Sequence, residues 1–202
     1  MGTPLYEHLK LTVGFANPAI DRAFKKINRA DFVQEDLKQV AYFDQPLSIG
    51  HGQTISQPTT VLMMLNWLDP QEGQKILDIG SGSGWTTALL ASVAGKKGKV
   101  IGLERIPALV NFGLTNLQKY EFKNATILPA NDKLGYSDEA PYDRILVSAA
   151  ASELPNELIG QLKNRGILVI PVQSSIFRIT KGPRGRVNRE EFHGFTFVPL
   201  IR

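Results

Sequence analysis

The run Lys75-Ile76-Leu77-Asp78-Ile79-Gly80-Ser81-Gly82-Ser83-Gly84-Trp85 constrains this chain more than any other segment. An apolar stretch of strand character breaks into three glycines at alternate positions, and a helix-forming sequence follows. Such a unit lets main-chain N–H groups approach a bound group, because glycine has no Cβ to hold it away. A second short strand, Val100-Ile101-Gly102-Leu103, ends in Glu104. An acidic side chain one strand after a glycine turn is placed to accept hydrogen bonds from ribose hydroxyls. Together the two features predict nucleotide-type chemistry.

Spacing narrows the choice. A dinucleotide fingerprint reads Gly-x-Gly-x-x-Gly and cradles a pyrophosphate. Here glycine and serine alternate, and Asp78 stands two positions before the first glycine. A carboxylate there would repel a pyrophosphate but suits a cationic amino-acid group, such as the methionyl end of S-adenosylmethionine. A phosphate loop is excluded, because no Gly-Lys-Ser/Thr ending is present. Two plainer readings stay open: a glycine-rich bend without ligand, and an Asp78 that only receives N–H bonds from the following turn.

With 202 residues, 43% of them apolar, the chain suits a single compact domain with a sizeable core. Lysine and arginine number 23 against 19 acidic residues, a net charge of +4. The basic clusters Lys96-Lys97-Gly98-Lys99 and Arg184-Gly185-Arg186-Val187-Asn188-Arg189 sit in glycine-bearing segments between apolar runs. They read as solvated loops, and no nucleic-acid partner is expected. The absence of cysteine removes disulfides, cysteine–zinc sites and thiol nucleophiles. Three scattered histidines offer no metal site, and none is expected. No signal peptide or membrane-spanning run is evident, so a cytoplasmic protein is expected.

Apolar spacing predicts a helix over residues 19–33, then an ordered loop without regular structure over 41–58, punctuated by proline and glycine. Pro58 suits the first turn of a helix whose apolar face is Val61, Leu62, Met64, Leu65 and Leu68. From Lys75 onward strands and helices alternate, with strands expected at 75–79, 100–103, 125–128, 144–149 and 166–172 and helices at 107–120 and 154–162. Alternation of this kind implies a parallel sheet with helices on both faces. Two strand-like runs, 176–180 and 191–200, add an antiparallel C-terminal hairpin. The predicted fold is α/β: a mostly parallel seven-stranded sheet of Rossmann-like methyltransferase type. Residues 1–57 would supply N-terminal helices and a covering loop, and residues 58–202 the core.

Several ordered motifs then resemble one family. Pro46-Leu47-Ser48-Ile49-Gly50-His51-Gly52-Gln53-Thr54-Ile55-Ser56-Gln57-Pro58 is the most specific, above all its Thr-Ile-Ser-Gln-Pro stretch. Arg29, Phe32-Val33, Ala41-Tyr42, the glycine turn, Ala140-Pro141-Tyr142-Asp143, Val147-Ser148-Ala149-Ala150 and Phe197-Val198-Pro199-Leu200 also fit. Taken together, these residues resemble the protein-L-isoaspartate (D-aspartate) O-methyltransferase family, a class I S-adenosylmethionine-dependent group. The resemblance implies methyl transfer from S-adenosylmethionine to the α-carboxylate of L-isoaspartyl residues in damaged proteins, leaving S-adenosylhomocysteine. The ester would close to a succinimide, which hydrolyses partly to normal aspartate.

By that resemblance Ser56 is the active-site serine, and Tyr42, Ile55 and Ser56 face the substrate. Gln53, Thr54, Ile55, Ser56, Asp78, Gly80, Ser81, Gly82, Ser83, Glu104, Arg105, Asn131 and Asp132 are the candidate cofactor contacts. Ser56 also admits a plainer role as a helix cap. A monomer acting on isoaspartyl proteins and peptides is expected. Two departures stand out. Ala130-Asn131-Asp132 replaces the family's Gly-Asp-Gly beside the adenine, and Thr59 replaces a larger residue after the proline, which would leave that edge more open. Two other functions remain possible from sequence: a class I methyltransferase for tRNA or a small molecule, and a non-catalytic binder of damaged protein.

Overall fold

The computed structural model describes residues 3–201. A first helix, α1 (Pro4–Thr12), is one the sequence reading did not assign; Thr3 caps it by accepting the Tyr6 N–H, and Pro4 opens it. Helix α2 (Pro18–Lys26) is shorter than the expected 19–33. Ile27 turns extended, and the Asn28 side chain accepts the Ala30 N–H and starts a separate 3-10 turn, Arg29–Phe32.

The segment expected to lack regular structure contains a hairpin. Strands β1 (Leu47–Gly50) and β2 (Gln53–Ile55) pair antiparallel, with Leu47 opposite Ile55. Gly50 and Gly52 take positive φ at the turn, while Leu47, Ile49 and Ile55 point inward. Short strands with buried alternate residues can sit among proline and glycine punctuation, and the punctuation dominated the sequence signal. Helix α3 (Pro58–Leu68) follows.

The core sheet then begins. Strand β3 (Lys75–Ile79), helix α4 (Trp85–Ala94), strand β4 (Lys99–Glu104), helix α5 (Pro107–Gln118) and strand β5 (Ala125–Pro129) form one half. Strand β6 (Tyr142–Val147), helix α6 (Asn156–Gly160) and strand β7 (Leu162–Val172) form the other. Helix α6 is shorter than expected because β7 starts at Leu162, which pairs with Tyr142. Strands β8 (Ser175–Lys181) and β9 (Val187–His193) complete the sheet as an antiparallel meander.

The sheet has seven strands in the order β5-β4-β3-β6-β7-β8-β9, and β3 to β7 run parallel. Alternate residues of each central strand reach opposite faces. Ile76, Val100, Leu146 and Val169 pack with α2, α3, α4 and α5, while Leu77, Ile101, Ile145 and Leu168 pack with α6. Because β4 and β5 lie on one side of β3 and β6 and β7 on the other, the chain reverses direction between β3 and β6. In open α/β sheets ligands bind at the carboxyl ends of the strands beside such a switch point.

Candidate functional site

A solvent-open cleft of about 790 Å³ lies at that switch point, over the ends of β3, β4 and β6. Its floor is the glycine turn. Gly80 and Ser81 N–H groups donate to the Leu103 carbonyl of the neighbouring strand, at 2.9 and 3.0 Å. Gly84 has φ +89, and a Cβ there would meet the Gly113 carbonyl of α5 at 3.2 Å. A Cβ on Gly82 would reach Ile49 of the β1–β2 hairpin at 3.0 Å, so the hairpin closes directly over the turn. Glycine is therefore required here for conformation and for close approach together.

Glu104 is buried and locks this floor. One carboxylate oxygen accepts the Gly82 N–H at 2.9 Å and the other accepts the Ile106 N–H at 2.9 Å. Each oxygen keeps a further lone pair for a hydroxyl donor in the cleft. Asp78 lies behind the turn, fully buried, and accepts the Thr86 and Thr87 hydroxyls on one oxygen, both at 2.7 Å. The turn's N–H groups do not serve it. Its other oxygen has no hydrogen-bond partner among the described residues, nor have Ser81 Oγ and Trp85 Nε1, both of residues lining the cleft. Burial, with a smaller push from Glu104, raises the Asp78 carboxyl to about 6 against the pull of the two threonine hydroxyls. A buried carboxylate with an unused oxygen, beside an unpartnered serine hydroxyl, fits a ligand that carries a cationic amino-acid group.

The opposite wall is the hairpin and the residues after it. Gln53, Thr54, Ile55 and Ser56 all line the cleft. Ser56 is half-buried, and its hydroxyl has no hydrogen bond to a described residue. It does not cap α3; Asp44 does that work from a distance, accepting the Thr59 N–H at 2.8 Å, the Thr59 hydroxyl at 2.7 Å and the Gln57 amide at 3.0 Å. Burial alone would raise the Asp44 carboxyl, but these bonds outweigh it and hold it below the usual carboxylate range. Thr59 is thus committed to Asp44 and lies outside the lining of the cleft, so it does not open the edge as expected from its size.

Gly80, Ser81, Gly82, Ser83, Glu104 and Arg105 gather as expected. Asp78 stands behind the lining, and three further candidates lie elsewhere. Tyr42 donates its hydroxyl to Asn28 Oδ1 at 3.0 Å and packs partly against the core. Asn131 and Asp132 are exposed and line a separate polar hollow with Lys133 and Tyr136. The Asn131 side-chain oxygen accepts the Lys133 N–H, which draws it into its own turn. Ala130, by contrast, does line the cleft.

Two contributors were missed from sequence. The tail passes over the cleft: Ala150 N–H donates to Val198 O and Leu200 N–H to Ala150 O, each at 2.8 Å, which brings Val198 to Ile201 into its wall. The other is Arg29, 2% exposed, whose guanidinium donates to main-chain carbonyls beneath the hairpin. Burial lowers its pKa to about 10, so it stays a cation at neutral pH. In the sequence Arg29 stood only as one residue of the family pattern, with no local sign of what its guanidinium holds.

Known proteins agree with this architecture. A Methanosarcina mazei protein-L-isoaspartate O-methyltransferase is 43% identical over 183 residues, covering 89% of this chain and 75% of the relative. A Methanopyrus kandleri protein of the same name is 42% identical, covering 98% and 89%. A Plasmodium falciparum chain described as a protein-L-isoaspartate O-methyltransferase, solved with S-adenosyl-L-homocysteine, superposes with a TM-score of 0.84 at 30% identity, covering 98% of this chain and 96% of that one. Residues 3–202 match the family model for Protein-L-isoaspartate(D-aspartate) O-methyltransferase, and with relatives this similar over most of its length the chain belongs to that family.

Proposed function

We propose that this protein transfers a methyl group to the α-carboxylate of L-isoaspartyl residues in damaged proteins and peptides. The observation that carries the reading is Ser56: a hydroxyl with no hydrogen bond to another described residue, in the lining of one cleft with the glycine turn and Glu104. When bound, S-adenosylmethionine supplies a methyl group already activated on a sulfonium. Asp78 and Ser81 would hold its amino-acid end through the polar atoms they leave unpaired, and Glu104 its ribose hydroxyls. Arg105 and Gln53 to Ile55 would bound it, with Ala130 in place of Asn131 and Asp132 at the far end.

The residues have a modest chemical task. A carboxylate is ionised at neutral pH, so no general base is needed. Ser56 donates a hydrogen bond to one oxygen of the acceptor and thereby turns the other toward the methyl group. Ile55 and the tail residues exclude water from that line. Alignment of this kind is worth on the order of 7–11 kcal/mol in ideal cases.

In this reading the chain acts as one unit, with residues 1–57 covering the acceptor side and residues 58–202 binding the donor. It works as a monomer in the cytoplasm, without metal or nucleic acid. Among the described residues no helix is long and apolar enough to cross a membrane. The test is incubation with methyl-labelled S-adenosylmethionine and paired peptides that differ only in aspartyl or isoaspartyl linkage. Base-labile label on the isoaspartyl peptide alone is expected; equal labelling of both, or none, refutes the assignment.

A further inference from the structure

We infer that Arg29 is a positioning residue for methyl transfer, acting through the main chain of Ser56. The inference rests on the reading of Ser56 given above and extends it to a side chain that does not line the cleft. Arg29 sits at the start of the 3-10 turn after α2 and is almost wholly buried. Its Nη1 donates to Ala41 O at 2.8 Å and, at the margin of bonding, to Phe43 O at 3.4 Å. Its Nη2 donates to Gln45 O at 2.9 Å and to Ser56 O at 3.1 Å. The guanidinium carbon lies 5.4 Å from the ring of Trp85, the residue that begins α4 directly after the glycine turn.

One planar cation therefore touches three parts of the site: the 41–45 segment, the carbonyl of Ser56, and the base of the donor-binding helix. Ser56 needs such support. Strand β2 ends at Ile55 and α3 begins at Pro58, so residues 56 and 57 lie between regular elements, and Pro58 has no N–H to contribute. A fork of N–H donors in fixed geometry can hold several carbonyls at once, which a lysine ammonium on its flexible stem cannot reproduce. Among the described residues no carboxylate bonds to the guanidinium; Asp44, the acid whose charge favours it, is occupied by Gln57 and Thr59.

The experiment is a double-mutant cycle on turnover. Wild type, Arg29→Lys, Ser56→Ala and the double variant are compared for kcat and KM on an isoaspartyl peptide, with S-adenosylhomocysteine affinity measured by calorimetry. A displacement of about 1 Å in a reacting group can cost about 100-fold in rate. Arg29→Lys is accordingly expected to lower kcat by about 10- to 100-fold while S-adenosylhomocysteine affinity stays within about threefold. In the Ser56→Ala background the same substitution should cost no more than about threefold, because the group it positions is gone. Equal losses in both backgrounds overturn the inference, as does an affinity loss in step with turnover. Arg29→Gln is followed by thermal melting alongside; if both variants are unfolded, Arg29 serves stability alone and the inference falls. A Ser56→Ala enzyme as fast as wild type would instead sink the reading of the cleft, a result visible without any Arg29 variant.

Discussion

The glycine turn at 80–84 and the segment at 41–57 face each other across one cleft, yet they are held in place by different means. The turn is shaped by its own main chain: positive φ at Gly80, Gly82 and Gly84, N–H bonds to the next strand, and one carboxylate at the end of β4, Glu104, closing the bend. The 41–57 segment has a three-pair hairpin at most, and two side-chain ties, one from outside the segment and one from within it, hold the rest. Arg29 gathers its carbonyls, and Asp44 ties its end to the first turn of α3. The lesson is that the donor side of the cleft is locally encoded and the acceptor side is assembled by tertiary contacts. Substitutions on the two sides should therefore fail differently.

Ser56→Ala tests the acceptor side most directly. Turnover on an isoaspartyl peptide should fall by about 100-fold or more, the scale of losing one well-placed donor, while S-adenosylhomocysteine affinity changes by less than about twofold. Parallel loss of both in steady-state kinetics and calorimetry would erase the distinction between the walls. Gly84→Val strikes the donor side. A β-branched residue at φ +89, meeting Gly113 O at 3.2 Å, should cost about 1–3 kcal/mol of stability from the backbone alone. Denaturant titration and calorimetry together should show both stability and ligand affinity falling, which separates it from Ser56→Ala.

Asp78 gives a pH signature for the donor side. Its folded pKa, raised to about 6 mainly by burial, exceeds the unfolded value, so the native state holds the proton more tightly. Stability from this group is present below about pH 4 and is lost as pH rises through about 6, on the order of 2–3 kcal/mol. Asp78→Asn should remove that slope: the stability of wild type relative to the variant should decline between pH 4 and pH 7 in denaturant titrations. A flat difference would show that Asp78 is ionised in the folded protein throughout. The same variant should bind S-adenosylhomocysteine less tightly at neutral pH.

Asp44→Ala probes the acceptor side's tether. Loss of the bonds to Thr59 and Gln57 should lower stability by about 1 kcal/mol, as for a helix cap, and slow turnover with little change in cofactor affinity. Tyr42→Phe is the smallest change. It removes the hydroxyl bond to Asn28, costing about 0.5–1.5 kcal/mol, and should leave KM for the peptide unaltered. A raised KM would restore Tyr42 to the substrate surface.

The legibility of the sequence follows the same division. The five parallel strands, the existence of the terminal hairpin and the cleft floor were readable because apolar runs and glycine spacing act within a few residues of themselves. The hairpin's second strand, however, lies at 187–193 and not at the expected 191–200, whose later residues form the tail over the cleft. The hairpin at 47–55 was not, since prolines and glycines signal a loop whatever pairs between them. Helix α2 ended early for a similar reason: Asn28 makes a local cap that competes with continued helical spacing. Asn131 and Asp132 were placed by alignment with a family pattern, but Asn131 forms its own turn and both stay exposed, so Ala130 alone of the three lines the cleft.

Sequence alone determined the alternation of strands and helices from Lys75 onward, the glycine turn, the acid at the end of β4 and the serine at position 56, because each depends on residue type and short-range spacing. Tertiary structure alone decided that Arg29 lies under Ser56, that Asp44 holds Thr59, and that the tail at 198–201 walls the cleft. Those contacts join residues 15 to 50 or more positions apart. Their geometry arises only when the sheet and its helices pack, and no local pattern announces it.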